Sequence, residues 1–581
     1  MIVRRYGRLG YDGIHRALKS GIRFFLCGIA CLTLMGSSAA AAEPDSKEVR
    51  LVVLVVVDQL RADQVTRFER YFGEDGFRLL MRRGAHFVNA HFSYGSSATA
   101  PGHATIATGR IPRGHGIVGN KWDFNAARPP EYAVDDARYP IIPATTDPRG
   151  AGRSPHHLIG PTLGDQLKVS DARSRVLSVA LKDRAAIFLG GHRPDGVYWW
   201  DLHTGNFVTS TYYGEKLPGY IAALNEERVP EQFSGRVWER MLPAVAYSGC
   251  YPVDAKWPSQ YSNLGVRFPH ALPAFDAQKR YAFNSALWST PFGNDLVLEL
   301  VRRVMEHEKP GQGPATDLLC VGFSSNDLVG HVFGPESPES MDMVVRTDRQ
   351  LAALWRMLDE AVGLDHCAIA LTSDHGVSSA SLFARGMGLG GGLIDLKALQ
   401  DRLNDRLRKF VGSTGKTKKK ADRRLVRRIQ LPWVYFNRSL LDRLGPSERR
   451  GALAEAAAFL RATPGVAGVF TAEELSGSMP SPEDRHRALA WRCYHPERSG
   501  RLYLQLRPYW YKVDEKIAGH TSGMTHDRHV PVFIVGPHIR PGRYFSPAKP
   551  SDIVVTLAAM LGIEAPIDAS GSVLSEAMGG Y

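Results

Sequence analysis

Asp58, Thr99, Asp327 with His331, Asp374 with His375, and one histidine among His520, His526 and His529 are the residues of this chain whose types could share a pair of metal ions. The first four sets follow or lie beside apolar, β-like runs. Carboxylates and imidazoles delivered to one place from strand ends far apart in sequence are what two-metal hydrolysis requires. Asp327 and His331 stand at i, i+4, so a helix would project both from one face toward a single cation. Asp374 and His375 are adjacent, and at a strand end a turn can aim them at one ion or at two. Mixed carboxylate and imidazole donors favour zinc over calcium or magnesium, which prefer oxygen ligands. Thr99 is the candidate nucleophile. Pro101 suits the first turn of a helix running to Thr108, which places Thr99 at a helix N-terminus, where backbone N–H groups and the dipole favour an anion. A zinc ion bound to its oxygen would lower the hydroxyl pKa enough to form an alkoxide near neutral pH.

These residues need rigid elements behind them. Leu51 to Val57 is a continuous β-branched apolar run, the pattern of a central parallel strand covered on both faces, and similar runs recur at Ser174–Leu181, Leu318–Phe323, Cys367–Leu371 and Val530–Val535. With helical stretches between them, the expected class is α/β: a doubly wound, mainly parallel sheet flanked by helices, with ligands beyond the carboxyl ends of its strands. Asp58, Lys182 with Arg184, Asp327 and Asp374 all fall just after such runs. The alternation from Val197 to Thr209 predicts a hairpin at the rim. The catalytic core is expected over 48–390 and 516–578, interrupted by a smaller α+β insertion at 391–515. That insertion carries a basic segment at 414–428, which includes Lys416, Lys418, Lys419, Lys420, Arg423, Arg424, Arg427 and Arg428 and is read as a solvated loop or helix face.

Residues 1–42 have the composition of a signal peptide: a basic stretch, the compact apolar run Phe24 to Met35, and small residues from Ser37 to Ala42. They hold six basic residues and one acid, so the remainder carries a net charge of about +8, against +13 for the whole chain. That sign suits anionic small substrates, while no motif supports a nucleic-acid partner. Cys320 and Cys367 lie inside apolar runs as buried thiols, and a chain that is 44% hydrophobic can bury a large core without disulfides.

Seven pieces in order, Val57-Asp58-Gln59, Thr99-Ala-Pro-Gly-His103, His115-Gly-Ile-Val-Gly-Asn120, Leu181-Lys182-Asp183-Arg184, Ser325-Asn326-Asp327-Leu-Val-Gly-His331, Ser373-Asp374-His375-Gly376 and Gly519-His520 with His529-Val-Pro531, resemble the alkaline phosphatase superfamily. Within it the chain is most similar to the phosphate-irrepressible, threonine-nucleophile alkaline phosphatases, over roughly residues 48 to 575. The resemblance implies two zinc ions, one held by Asp327, His331 and His520, the other by Asp58, Asp374, His375 and the Thr99 oxygen. His520 fits the family's spacing best, with His526 in reserve. It further implies a covalent phosphothreonine on Thr99, with Asn120, Lys182 and Arg184 holding the phosphoryl oxygens. A monoester presents a dianion whose oxygens need that compensation, since its loose transition state is stabilised mainly by positioning and electrostatics.

The expected activity is therefore that of a secreted, zinc-dependent phosphomonoesterase acting on small-molecule phosphate esters, periplasmic or secreted, with no stable membrane anchor and with a monomer favoured. Phosphodiesterase or nucleotide pyrophosphatase activity is the alternative within the superfamily, and Lys182 with Arg184 weighs against it. A catalytically silent zinc-binding ectodomain is the alternative of another class. Sulfatases carry a modified Cys or Ser where this chain has Thr99. His103 and His115 are read as structural, and His192 as a residue of the mouth without a role.

Overall fold

The run Leu51–Val57 forms the fifth strand of an eleven-stranded sheet, near its centre and buried along its whole length. The computed structural model describes residues 48–579 apart from 124–129, 149, 151, 252–263, 413–423 and 515–516. The signal-peptide-like segment 1–42 and most of the basic run, Lys416 to Arg423, lie outside the described residues. Leu51–Val57 pairs in parallel with Asp317–Phe323 on one side and Cys367–Thr372 on the other. Val176–Ala180 and Gly196–Trp200 continue the parallel centre.

Strand geometry sends alternate side chains of Leu51–Val57 to opposite faces. Val52, Leu54 and Val56 enter one apolar cluster with Ala104 and Ile106 of the helix Thr99–Thr108, Ile187 of Asp183–Gly190 and Ile553 of Asp552–Met560. Leu51, Val53, Val55 and Val57 enter a second with Leu300 of Phe292–Glu308 and Leu354 of Pro338–Ala361. Covering both faces is what allows the uninterrupted apolar strands.

Both wings of the sheet turn antiparallel. Val532–Val535 reads like the parallel core strands, yet it runs antiparallel to Cys367–Thr372 and to Gly84–Phe87. An apolar, β-branched run reports that a strand is covered on both faces and carries no information about its direction. The expected hairpin forms between Gly196–Trp200 and Phe207–Ser210, but inside the sheet rather than at its rim, with Trp199 and Trp200 buried.

Between 391 and 515 the chain builds its own antiparallel sheet, in the order Val426–Gln430, Trp433–Phe436, Leu502–Leu506, Val466–Thr471, over an apolar cluster formed with the helices Leu396–Gly412 and Pro446–Arg461. Arg427 and Arg428, expected in a solvated loop or helix face, stand instead in its first strand, where Arg427 Nε meets buried Asp123 Oδ2 at 2.7 Å. Val426 and Ile429, three residues apart, are both buried because the strand's register shifts between Val426 and Arg428, an irregularity that the charge run does not reveal. The four described cysteines are free, three of them buried. No helix among the described residues is long and apolar enough to cross a membrane.

Leu54 is 1% exposed between two parallel neighbours. Truncation to Ala should lower the unfolding free energy by about 2–5 kcal/mol, read by chemical denaturation. A loss below about 1 kcal/mol would contradict its central place.

Candidate functional site

The carboxyl ends of the parallel strands converge on one buried centre. Asp58 directly follows Leu51–Val57, and its backbone N–H donates to Phe323 O at 3.0 Å, so neighbouring strand ends set its position. Asp327 and His331 lie on the helix Ser325–Phe333, one turn apart on a single face, with His331 Nε2 3.2 Å from Asp327 Oδ1. Asp374 and His375 follow Cys367–Thr372. His520 arrives from the far end of the chain, its ring stacked on that of His375 at 3.7 Å and its Nε2 3.8 Å from Asp327 Oδ1. Two groups of ligand-type atoms result: Asp327, His331 and His520, and Asp58, Asp374 and His375. A third, Glu131, His156 and His157, is separate from them.

The histidines share one arrangement. His331 Nδ1 faces Ala518 O at 2.7 Å, His520 Nδ1 faces Ser97 O at 2.7 Å, and His375 Nδ1 faces Gly376 O at 2.9 Å. A carbonyl can only accept, so each pairing assigns the proton to Nδ1 and turns the Nε2 lone pair inward, the tautomer a metal needs. In the second group Asp58 Oδ1, Asp374 Oδ2 and His375 Nε2 are buried without a hydrogen-bond partner, and His375 Nε2 lies 3.5 Å from each of the two oxygens. Each buried polar atom left unsatisfied costs about 1–3 kcal/mol, so three of them aimed at one point fit a cation.

The charge field says the same. Asp58 is pushed up to about 7 by burial and by neighbouring Asp374, against the pull of Lys182. For Asp327 burial opposes ionisation, but His331 and Lys182 prevail and hold it well below the usual carboxylate range. Burial and the rings of His375 and His331 hold His520 neutral, well below the ordinary imidazole value. His375, which burial would lower, is raised by Asp374 and Asp58. Among the described residues, Lys182 and Arg184 are the permanently charged cations beside three buried carboxylates, and added cations would lessen the repulsion of an anionic ligand.

Thr99 opens the helix Thr99–Thr108 and is 1% exposed. Its Oγ1 lies 3.3 Å from Lys182 Nζ and 3.4 Å from Arg184 Nη2. Lys182, which as a Lys-x-Arg after a strand could have been a solvated edge, is instead buried as the N-cap of Asp183–Gly190. Its Nζ bridges Asp58 Oδ2 at 2.5 Å and Asp327 Oδ2 at 2.7 Å, linking the two groups. Asn120 Oδ1 accepts from Ala100 N at 2.8 Å, one residue from Thr99. Beside Asn120, His331 and His520 opens a cleft of about 390 Å³ whose walls include Arg428, Trp433 and Lys512.

His526, the reserve ligand, stands outside both groups, with Nε2 3.5 Å from Asp527 Oδ1. His529 Nε2 is tied to Val88 O and His192 Nε2 to Gly160 O. His115 is buried between Thr105 Oγ1 and Ile117 N. His103 is more than structural filling: its Nδ1 lies 2.9 Å from Thr99 O and 3.2 Å from Asp374 Oδ2. Gln59 belongs to the motif Val57-Asp58-Gln59, whose pattern assigns it no role. It donates from Nε2 to Asp327 Oδ1 at 2.5 Å and from its backbone to Asp374 Oδ1 at 3.1 Å, joining both groups from a left-handed turn with φ of 66°. Tyr132, donating to Asp183 and accepting from Arg184, carried no sequence signal.

An α/β sheet with two groups of metal-capable side chains beyond its strand ends defines an alkaline phosphatase-like protein. The chain belongs to the type I phosphodiesterase / nucleotide pyrophosphatase family, whose model matches residues 52–527. It is 31% identical to alkaline phosphatase PafA of Elizabethkingia meningoseptica over 96% of this chain and 99% of that protein. To alkaline phosphatase PhoV of Synechococcus elongatus it is 31% identical, over 91% and 92%. The crystal structure of wild-type PafA superposes with a TM-score of 0.82 at 30% identity, covering 92% of this chain and 99% of that one. Murine ectonucleotide pyrophosphatase / phosphodiesterase 5, at 15% identity and a TM-score of 0.51, shares the fold alone.

A Cβ on Gly102 would meet Asp374 O at 2.2 Å and Asp374 Cβ at 2.7 Å. Gly102→Ala should therefore push the Thr99 helix off the Asp374 turn and cut kcat/KM by at least ~100-fold, while circular dichroism stays native, since a small misplacement of reacting groups costs that much. Wild-type turnover in this variant would show the contact to be slack.

Proposed function

We propose that this chain is a zinc-dependent phosphomonoesterase, exported through residues 1–42, that hydrolyses small phosphate esters by way of a phosphothreonine at Thr99. The observation that carries the reading is Thr99 Oγ1 between Lys182 Nζ and Arg184 Nη2, next to buried, unsatisfied ligand atoms. Two zinc ions, one with Asp327, His331 and His520 and one with Asp58, Asp374 and His375, would supply Lewis acidity toward oxygen and cancel the carboxylate charge. The names of the curated relatives support the phosphatase class.

The chain's own residues then have defined work. Thr99 Oγ1, its proton passed to solvent, attacks phosphorus from the helix N-terminus; the P–O ester bond breaks and the leaving alkoxide takes a proton from solvent to depart as the alcohol. Lys182, Arg184 and Asn120 hold the phosphoryl oxygens through this step. Water next attacks phosphorus, the P–Oγ1 bond breaks, and inorganic phosphate departs as Thr99 regains its proton. A Lys and an Arg at the nucleophile suit a group with three non-bridging oxygens. A diester has only two, and needs room for its second substituent where those cations stand. The core 48–390 with 516–578 supplies these groups, and the insertion 391–515 supplies one wall of the cleft, near Arg428 and Trp433. Export to the periplasm accords with the basic and apolar composition of the first 42 residues.

The deciding experiment compares kcat/KM for a nitrophenyl phosphate monoester with its methyl diester. The monoester should win by ~100-fold or more, and a diester preference would assign the chain to the activity its family name carries. Thr99→Ala should abolish turnover and leave zinc content intact; surviving activity would rule out the covalent route. Chelation should remove activity and lower Tm, with zinc restoring both, because cations bound only by the folded state stabilise it.

A further inference from the structure

We infer that Tyr132 is a positioning residue, whose hydroxyl keeps Arg184 aimed at Thr99 by standing between the guanidinium and the carboxylate of Asp183. The inference deepens the phosphomonoesterase reading and rests on it. Tyr132, Asp183 and Arg153 are all buried, Arg153 being 1% exposed. Tyr132 OH is 2.5 Å from Asp183 Oδ1, and Arg184 Nη1 is 3.1 Å from Tyr132 OH. A guanidinium can only donate, so the phenol accepts from Arg184 and its own proton goes to Asp183. Both directions are thereby set.

The direct distance makes the spacer necessary. Arg184 Nη1 and Asp183 Oδ1 are 3.9 Å apart, too far for a hydrogen bond though close enough to attract. Arginine and carboxylate favour a close, bidentate pairing in a buried setting. With no group between them, Arg184 would fold back on its neighbour and withdraw Nη2 from its place 3.4 Å from Thr99 Oγ1. Tyr132 blocks that collapse while leaving the guanidinium hydrogen-bonded. Asp183 is held in turn: Oδ2 accepts from Arg153 Nε at 3.0 Å, and Oδ1 also accepts the backbone N–H of Arg184 at 2.7 Å. Arg153 lies 5.4 Å over the Tyr132 ring and reaches Asp135 Oδ1 at 2.8 Å, so the phenol sits in a rigid frame.

The test is a double-mutant cycle on the zinc-loaded full chain, read by the Kd of inorganic phosphate and by KM and kcat for a nitrophenyl phosphate monoester. Tyr132→Phe should weaken phosphate binding and raise KM about tenfold, with kcat changed less than about threefold. In the Arg184→Ala background the same substitution should change neither constant, because the group it positions is gone. Equal losses in both backgrounds, or an unchanged phosphate Kd in Tyr132→Phe alone, would overturn the inference. Asp183→Asn in the same cycle gives a second test if Tyr132→Phe does not fold: a loss confined to the Arg184 background supports the arrangement, and an equal loss in both refutes it. Because phosphate binding is measured directly, a wild-type chain without monoester turnover would count against the proposed activity, while additive losses in Kd would count against Tyr132 alone.

Discussion

Three carboxylates buried together are the constraint on which this site depends. Asp58, Asp327 and Asp374 repel one another in a place that water does not reach, and burial alone would drive each toward its neutral form. Lys182 between Asp58 and Asp327, the imidazoles at either side and the Gln59 donors are the counterweights the chain itself provides. They leave Asp58 Oδ1, Asp374 Oδ2 and His375 Nε2 unsatisfied, buried donor atoms that could hold a metal ion.

Holding like charges together requires a frame stiffer than their repulsion. Parallel strands with both faces covered meet that need, because their carboxyl ends lie side by side and strand pairing fixes their register. Each end then passes into a turn or a helix N-terminus, so Asp58, Lys182, Asp327 and Asp374 leave the sheet at one level. The helix of Thr99 is brought in from the side, against a backbone approach that only Gly102 permits.

The side of the site that faces Thr99 Oγ1 is organised differently. Lys182 is fixed by its carboxylate partners, whereas Arg184 is held at arm's length from Asp183 by a phenol. Beyond them the cleft is walled by the sheet that includes Val426–Gln430 and Trp433–Phe436, and Arg428 stands in that wall. Arg427 and Arg428 of the basic run thus belong to a strand, and Arg428 lines the cleft.

Much of this was legible in one dimension. The run Leu51 to Val57 declared a doubly covered strand, the i, i+4 spacing of Asp327 and His331 declared one helical face, and Thr-x-Pro declared a helix start at Thr99, because each is a local period or a local steric rule. What the sequence by itself determined was the kind of chemistry and the elements that carry it. Only the tertiary structure decided that Val532–Val535 runs antiparallel, that Gln59 turns left-handed to join both groups, and that Tyr132 separates Arg184 from Asp183. Those facts depend on distances between residues tens to hundreds of positions apart, which no local pattern encodes.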